Sequence, residues 1–295
     1  MVGWLDEFAR RTEPIVAVMQ KRIVRGSIAY SDDTAIPLIM EDKPGAAHRG
    51  AMGLYSNGSD AVVFEYSSGK AQSNPINWLN GFKGYLHSDG YTAYLGVHHS
   101  GKVVPVYCFA HARRKFLAAI ESGDTQAMRS FSLINRLFAV DRYARNQKLG
   151  IKAFKEIRAR VSAAILRKLH EHWITLGPTV LPKSLLGVAL NYVLTRTEGF
   201  ATFLKSPRLA LDNNLSEREL RRVVVGRKNY MFCGSEEGAR RAAIVYSLAA
   251  TCERIGIDPY RYAMEVMRRL SANINCAPHE LMPHKIAEEF LKPKS

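Results

Sequence analysis

A chain of 295 residues is long enough to bury a sizeable core, in one large domain or two smaller ones. Its 47% apolar and 23% charged residues are ordinary for a globular protein, but 42 Lys and Arg against 27 Asp and Glu leave a net charge of +15. With the arginines clustered, that excess favours a phosphate polymer as partner over a basic surface kept only for solubility, and the absence of any run of about 18 apolar residues argues against a transmembrane helix.

The opening MVGWLDEFARR carries acidic residues and no apolar stretch of the kind a secretory signal needs, so a cytoplasmic protein is expected. Between Trp4 and Arg25 the residues Leu5, Phe8, Ile15, Val18, Met19 and Ile23 fall near helical spacing around Pro14, which predicts a lead-in helix over 1–26, in one piece or two. Ser27–Met40, Ala51–Ser56 and Ala61–Tyr66 read as three successive strands, the last two joined through Asn57-Gly58, a strong hairpin signal. Pro75–Asn80 reads as a short helical turn, Gly84–His87 as a strand ending at Asp89-Gly90, and Val103–Phe109 as a strand whose Pro105 belongs at an edge or a bulge.

From Ala112 to Leu209 the pattern becomes helical, with Phe116, Ile120, Ile134, Leu137, Phe154, Ile157, Val161, Ile165 and Leu169 as candidate core and Gly123, Gly150 and Gly177-Pro178 as breaks. A helical insertion over 112–210 in a sheet domain is therefore expected, with 27–111 as the first part of that domain, 211–246 as its closing helices and 247–295 as a C-terminal helical segment. Within the last, Asp258-Pro259 reads as an N-cap followed by a first-turn proline. Trp173 is expected in the core of the insertion. Cys108, Cys233, Cys252 and Cys276 lie far apart with no CxxC pair, which fits reduced thiols and no structural zinc site.

The densest concentration of charge is LDNNLSERELRRVVVGRKNYMF, residues 211–232. Glu217 there precedes Arg218, Arg221, Arg222, Arg227 and Lys228, more cations than a solvated helix face requires, and a phosphate polymer is the natural occupant. Two boxes compete for the helix start: Asn214 with Glu217, or Ser216 with Glu219, the second leaving Glu217 at the first helical position and being the one favoured. Asp32 and Asp33 lie on a strand whose side chains alternate, so only one of them can face a site on a given side. Asp89 has a bland reading as an Asp-Gly turn, compatible with a second role at a strand end, where ligands collect in open α/β sheets. Arg113 and Arg114, and the pair Arg240-Arg241, are further candidates for contact with a nucleic-acid backbone.

Five stretches taken together, YSDDTAI (30–36), YLHSDGYTAY (85–94), CFAHARRKF (108–116), DNNLSERELR (212–221) and GRKNYMFCGS (226–235), resemble in kind and order the catalytic region of the insertion sequence 66 family of bacterial DDE transposases, over about residues 4–281. The resemblance implies an α/β fold: an RNase H-like mixed-sheet catalytic core interrupted by a large all-helical insertion, plus a short helical C-terminal segment. It selects Asp32 over Asp33 and implies Asp32, Asp89 and Glu217 as metal-holding catalytic residues for two Mg2+ (or Mn2+) ions. Arg113, Arg114, Arg218, Arg221, Arg222, Arg227 and Lys228 would then grip DNA. Phe109 stands where the family has tryptophan, and Cys108 with His111 reads as a structural element rather than a zinc site, two ligands being too few.

The expected function is metal-dependent cleavage and strand transfer of an insertion sequence, with element ends and target DNA as partners. A homo-oligomer when active, accessory transposition proteins, association with the nucleoid and no membrane are expected alongside it. Full-length relatives carry an N-terminal part with DNA-recognition and oligomerisation elements, so a shortened copy is expected here. A non-catalytic DNA-binding remnant regulating the element and a stand-alone RNase H-like nuclease are the alternatives; metal-dependent strand transfer separates the first reading from both.

Overall fold

The computed structural model describes residues 2–39, 47–69, 71, 73–98 and 101–290. In chain order they form α1 (Val2–Val24), β1 (Ile28–Ile39), β2 (Ala47–Ser56), β3 (Val62–Ser67), α2 (Ser73–Trp78), β4 (Gly84–Ser88), α3 (Leu95–His98), β5 (Val103–Tyr107), α4 (Phe109–Glu121), α5 (Ala127–Asn146), α6 (Ile151–Ile157), α7 (Ala163–Leu176), α8 (Leu185–Leu194), α9 (Thr197–Ala201), α10 (Asn214–Tyr230), α11 (Glu236–Arg254), α12 (Pro259–Ala272) and α13 (Pro283–Phe290). The strands order as β3-β2-β1-β4-β5, a five-stranded sheet in a mixed α/β fold where helices predominate. Pro105 lies in β5, an edge strand, where its missing N–H is tolerated. No described helix is long and apolar enough to cross a membrane.

Two compact units make up the chain: Met1–Gly84 with Thr92–Val103 and Leu215–Ser295, and Tyr85–Tyr91 with Val104–Asn214. In the first, α1 is one continuous helix through Pro14, burying Ala9, Ile15, Val16, Met19 and Ile23. The expected meander is present: β1 pairs antiparallel with β2, and β2 with β3. Its second turn depends on Asn57, whose Oδ1 accepts from the backbone N–H groups of Ser59, Asp60 and Ala61, and on Gly58, held at φ +79° where a side chain would meet the Tyr30 ring.

On one face of the meander Ile36, Leu38, Met52, Leu54, Val62 and Phe64 pack with Leu220 and Val223 of α10 and Ala239, Ala243 and Ala250 of α11. β3 is the other edge of the sheet, and α11 covers it with hydroxyls in place of a neighbouring strand. Ser247 Oγ accepts from Phe64 N (2.8 Å) and Thr251 Oγ1 from Val62 N (3.0 Å), so otherwise orphaned donors are satisfied. At the start of α12, Asp258 caps Tyr260 N (2.8 Å) ahead of Pro259, as the sequence predicts.

The second unit joins most of β4 and β5 to the helices α4–α9, and the stretch after His111 is as helical as its pattern predicts. Trp173 is fully buried, stacked near Phe116 (6.2 Å between centroids) and donating from Nε1 to Ser130 Oγ (3.1 Å). Two expectations need correction. The strand starting at Val103 ends at Tyr107, and Phe109 already begins α4. Val161, expected in the core, is 45% exposed. The reason is a wide, π-helical turn over Arg158–Ser162 between α6 and α7: Arg158 takes the core position, fully buried, and Val161 is turned outward.

Candidate active site and basic surface

In the first unit the site residues come from β1 and α10. Asp32 stands opposite Leu54 in the β1–β2 register, and directly opposed residues share a face of the sheet. Leu54 belongs to the cluster that packs on Leu220 and Val223, so Asp32 lies on the α10 side of the meander. Asp33 stands opposite Gly53 and projects the other way, into a shallow pocket shared with Tyr55, Glu65 and Tyr94. Burial holds the Tyr94 phenol well above its ordinary range, and the neighbouring Tyr55, Asp32 and Asp33 add to the shift. Asp32 is half-buried and accepts from Asp33 N at 2.9 Å.

The direction of α10 follows from two ties to β1. Arg227 donates to Ala35 O, and beyond the helix Cys233 pairs with β1, its N donating to Pro37 O (2.9 Å) and its O accepting from Ile39 N (3.0 Å). Helix and strand therefore advance together, which turns the first helical turn, with half-buried Glu217, towards the Asp32 end of β1. The helix begins at Asn214, earlier than the favoured second capping box requires. Glu219 does not serve that box: it is 3% exposed and bound by Arg222 Nε (2.9 Å) and Arg254 Nη2 (2.7 Å).

These pairings divide the basic cluster. Arg222 is engaged by Glu219 and Glu253, and Arg227 by the strand backbone. Arg218, Arg221 and Lys228 are exposed, take no carboxylate partner among the described residues and, at spacings of three and seven, share one helix face. Arg240 is paired with Glu236 and Glu237, and Arg241 with Asp6.

In the second unit Asp89 is half-buried, one residue past β4. Its Oδ1 accepts from Tyr91 N (2.8 Å), its carbonyl from Tyr192 Oη (2.6 Å), and the carbonyl of Gly90 from Arg196 Nη2 (2.9 Å). Gly90, at φ +79°, is required there, because a Cβ would stand 2.6 Å from Arg196 Nε. The turn is thus held by its backbone and one carboxylate oxygen, and the other accepts nothing among the described residues. Two residues earlier, burial and then Arg158 push His87 down to about 3, which keeps its imidazole neutral.

Cys108 immediately precedes α4, and its Sγ accepts from Asn213 N (3.1 Å) while Phe109 N donates to Leu211 O (2.8 Å). Burial, only partly offset by the backbone N–H groups of Asn213, His111 and Ala110, raises the Cys108 thiol to about 12. The bonds from Asn213 N and Phe109 N lace the 211–213 segment to the start of α4. Arg114 donates to His111 Nε2 (3.1 Å), and Arg113 donates to Asn135 (3.3 Å) and lies over the Phe138 ring; both arginines are exposed.

Residues 1–241 match the family described as Transposase IS66 family. The chain is 32% identical over 294 residues to a protein of Sinorhizobium fredii (strain NBRC 101917 / NGR234) described as uncharacterized protein y4hP, across 92% of this chain and 52% of that one. It is 28% identical over 289 residues to uncharacterized protein y4qI of the same organism, across 92% and 53%. The chain thus spans about half the length of these relatives. No solved structure matches it.

Proposed function

Because this chain belongs to the IS66 transposase family, we propose that it is the catalytic part of a DNA transposase, with Asp32, Asp89 and Glu217 as the carboxylates of an RNase H-like site. The observation that carries the reading is the sharing of one sheet face by Asp32 and the helix that bears Glu217, in a chain whose family cuts and joins DNA. Asp89, past the end of β4 on a braced turn, supplies the third carboxylate. The run of helices α4–α9 in the second unit is then an insertion between the second and third acids.

The three proposed carboxylates are half-buried and offer oxygen ligands, which suits hard divalent cations. Two such ions, Mg2+ or Mn2+, would supply charge at the attacking and leaving oxygens of a phosphodiester. The chain's own residues do the rest. Asp32 and Asp89 are fixed by strand and turn, so their oxygens need little reorganisation, and Glu217 enters from the first turn of α10. Arg218, Arg221 and Lys228, with no carboxylate partner among the described residues, hold phosphates from the adjoining helix face without reading bases.

The test is strand cleavage and joining of end-labelled DNA carrying the element's ends, by this chain alone and joined to the part of the y4hP protein that it does not cover. The chain alone is expected to bind DNA with little sequence preference and to cut weakly. The joined protein is expected to cut in Mg2+ and to lose cutting on Asp32→Asn, Asp89→Asn or Glu217→Gln. Cutting that survives Glu217→Gln contradicts the assignment.

A further inference from the structure

Charge is unevenly shared between the two units. The helical unit, two-fifths of the chain, holds 18 Lys and Arg against 8 Asp and Glu, a net +10 of the total +15. Its longest helical run is α6, the wide turn and α7, Ile151–Leu176. Lys152, Lys155, Arg160, Arg167 and Lys168 on this run are all exposed, and none has a carboxylate partner among the described residues. The acids of the same run, Glu156 and Glu171, are exposed as well.

Regular helix geometry would scatter these cations. At about 100° per residue, Lys155 and Arg160 would stand about 140° apart, with Arg167 following Arg160 to the far side. The wide turn over Arg158–Ser162 absorbs one additional residue. That rotates everything after it back by about 100°, bringing Arg167 within about 20° of Lys155, while Arg160, in the middle of the turn, is set back by about half as much, to about 90°. Lys152, Lys155 and Arg167 then fall within an arc of about 60°, and Arg160 stands at its border, about 90° from Lys155, over roughly 20 Å of helix.

The turn is fixed from within. Arg158 donates to Asp141 Oδ1 (3.0 Å) and to the carbonyls of Phe203 (2.8 Å) and Ser206 (2.7 Å), and its guanidinium lies over the Phe154 and Phe203 rings. The feature that sinks Arg158 into the core is therefore also the one that aligns the outer cations, at the expense of exposing Val161.

We propose that the stripe Lys152–Lys155–Arg160–Arg167 is a second phosphate-backbone surface, separate from the cations of α10, along which DNA lies without base readout. The inference rests on the DNA-binding reading of the chain and assigns the larger part of its grip to the helical unit. An acidic protein segment is the other occupant this charge could take, and the test excludes it if duplex binding responds as follows.

Anisotropy of a labelled 30-base-pair duplex is followed from about 50 to 300 mM salt, the range in which counterion release is read most clearly. Four proteins are compared: the chain itself; Lys152→Gln/Lys155→Gln/Arg160→Gln/Arg167→Gln; a charge-matched control at exposed positions off the stripe, Arg142→Gln/Lys183→Gln/Lys205→Gln/Arg208→Gln; and Arg218→Gln/Arg221→Gln/Lys228→Gln. All the substituted residues are exposed, and circular dichroism checks that each variant folds. The stripe variant should lower the slope of log K against log salt by about 3 to 4, equally on unrelated sequences, and the control by less than about 1. A wild-type slope in the stripe variant, or an equal loss in the control, overturns the proposal. If only the α10 variant loses slope, the stripe is wrong and the DNA reading stands; a parent chain without salt-dependent binding removes both.

Discussion

Arg158 and Asp141 are joined inside the helical unit by two parallel hydrogen bonds, Nε to Oδ1 at 3.0 Å and Nη2 to Oδ2 at 2.5 Å, with the arginine side chain wholly buried and the aspartate nearly so. Two planar ions matched in this way resist separation far more than an exposed pair, because either one left alone stays buried without its matched partner.

Arg158→Met is accordingly expected to destabilise the chain by about 3–5 kcal/mol, through the Asp141 carboxylate, left with only the more distant Arg145 (3.7 Å), and the unsatisfied Phe203 and Ser206 carbonyls. The double variant Arg158→Met/Asp141→Leu should be more stable than Arg158→Met alone. Urea unfolding of the three proteins checks both statements, and an additive double variant would contradict the coupling.

Glu217 and Glu219, two residues apart on α10, should behave in opposite ways. Glu219→Gln breaks a buried pairing with Arg222 and Arg254 and should cost about 3 kcal/mol of stability. Glu217→Gln, at a half-buried position, should lower the melting temperature less than Glu219→Gln does while abolishing strand cleavage by the joined protein. Thermal melts beside the cleavage assay separate the two.

Lys228→Gln is expected to weaken DNA binding about evenly across sequences and to lower the salt slope by about 1. Arg222→Gln, whose guanidinium is already held by Glu219 and Glu253, should lower stability more than the slope. A loss confined to one DNA sequence would mean that Lys228 reads bases.

Burial opposes ionisation of Asp60, but Arg22 and Asn57 overcome it and hold its carboxyl down at about 2. A carboxylate depressed on folding stabilises the protein above its unfolded value of about 3.9 and loses that contribution as pH falls towards 2. The pair is partly exposed, so its contribution is under about 1 kcal/mol after screening. The stability difference between the parent and Asp60→Asn should be constant from pH 5 to 7 and shrink between about pH 4 and 2.

Much of the architecture is legible in the sequence, because it rests on local signals. The Asn57-Gly58 turn, the alternation in β1 and the Asp258-Pro259 helix start each carry their geometry in adjacent residues. The helical texture after His111 is equally plain. The wide turn at Arg158 is not: a helical pattern through Phe154, Ile157, Val161 and Ile165 gives no sign that an arginine will occupy the core, since its partners come from α5 and from residues 203–206.

The same limit applies at the candidate site. Alternation says that only one of Asp32 and Asp33 faces a given side, but which one faces α10 depends on the register with Leu54 and on Leu220 packing there. Nor could the sequence separate Arg222 from Arg218 and Arg221, because Glu253, which engages Arg222, lies 31 residues away on α11.

The central claim is that Asp32, Asp89 and Glu217 hold divalent cations together, and iron-directed backbone cleavage tests it most directly. Iron(II) bound in place of Mg2+, with ascorbate and peroxide, generates hydroxyl radicals that cut the polypeptide beside the metal, and the fragments can be placed by mass spectrometry. The account predicts cuts next to all three residues, suppressed together by excess Mg2+ and absent in Glu217→Gln. Cuts confined to other acidic segments, or cuts beside Asp32 and Asp89 that persist undiminished in Glu217→Gln, would contradict it.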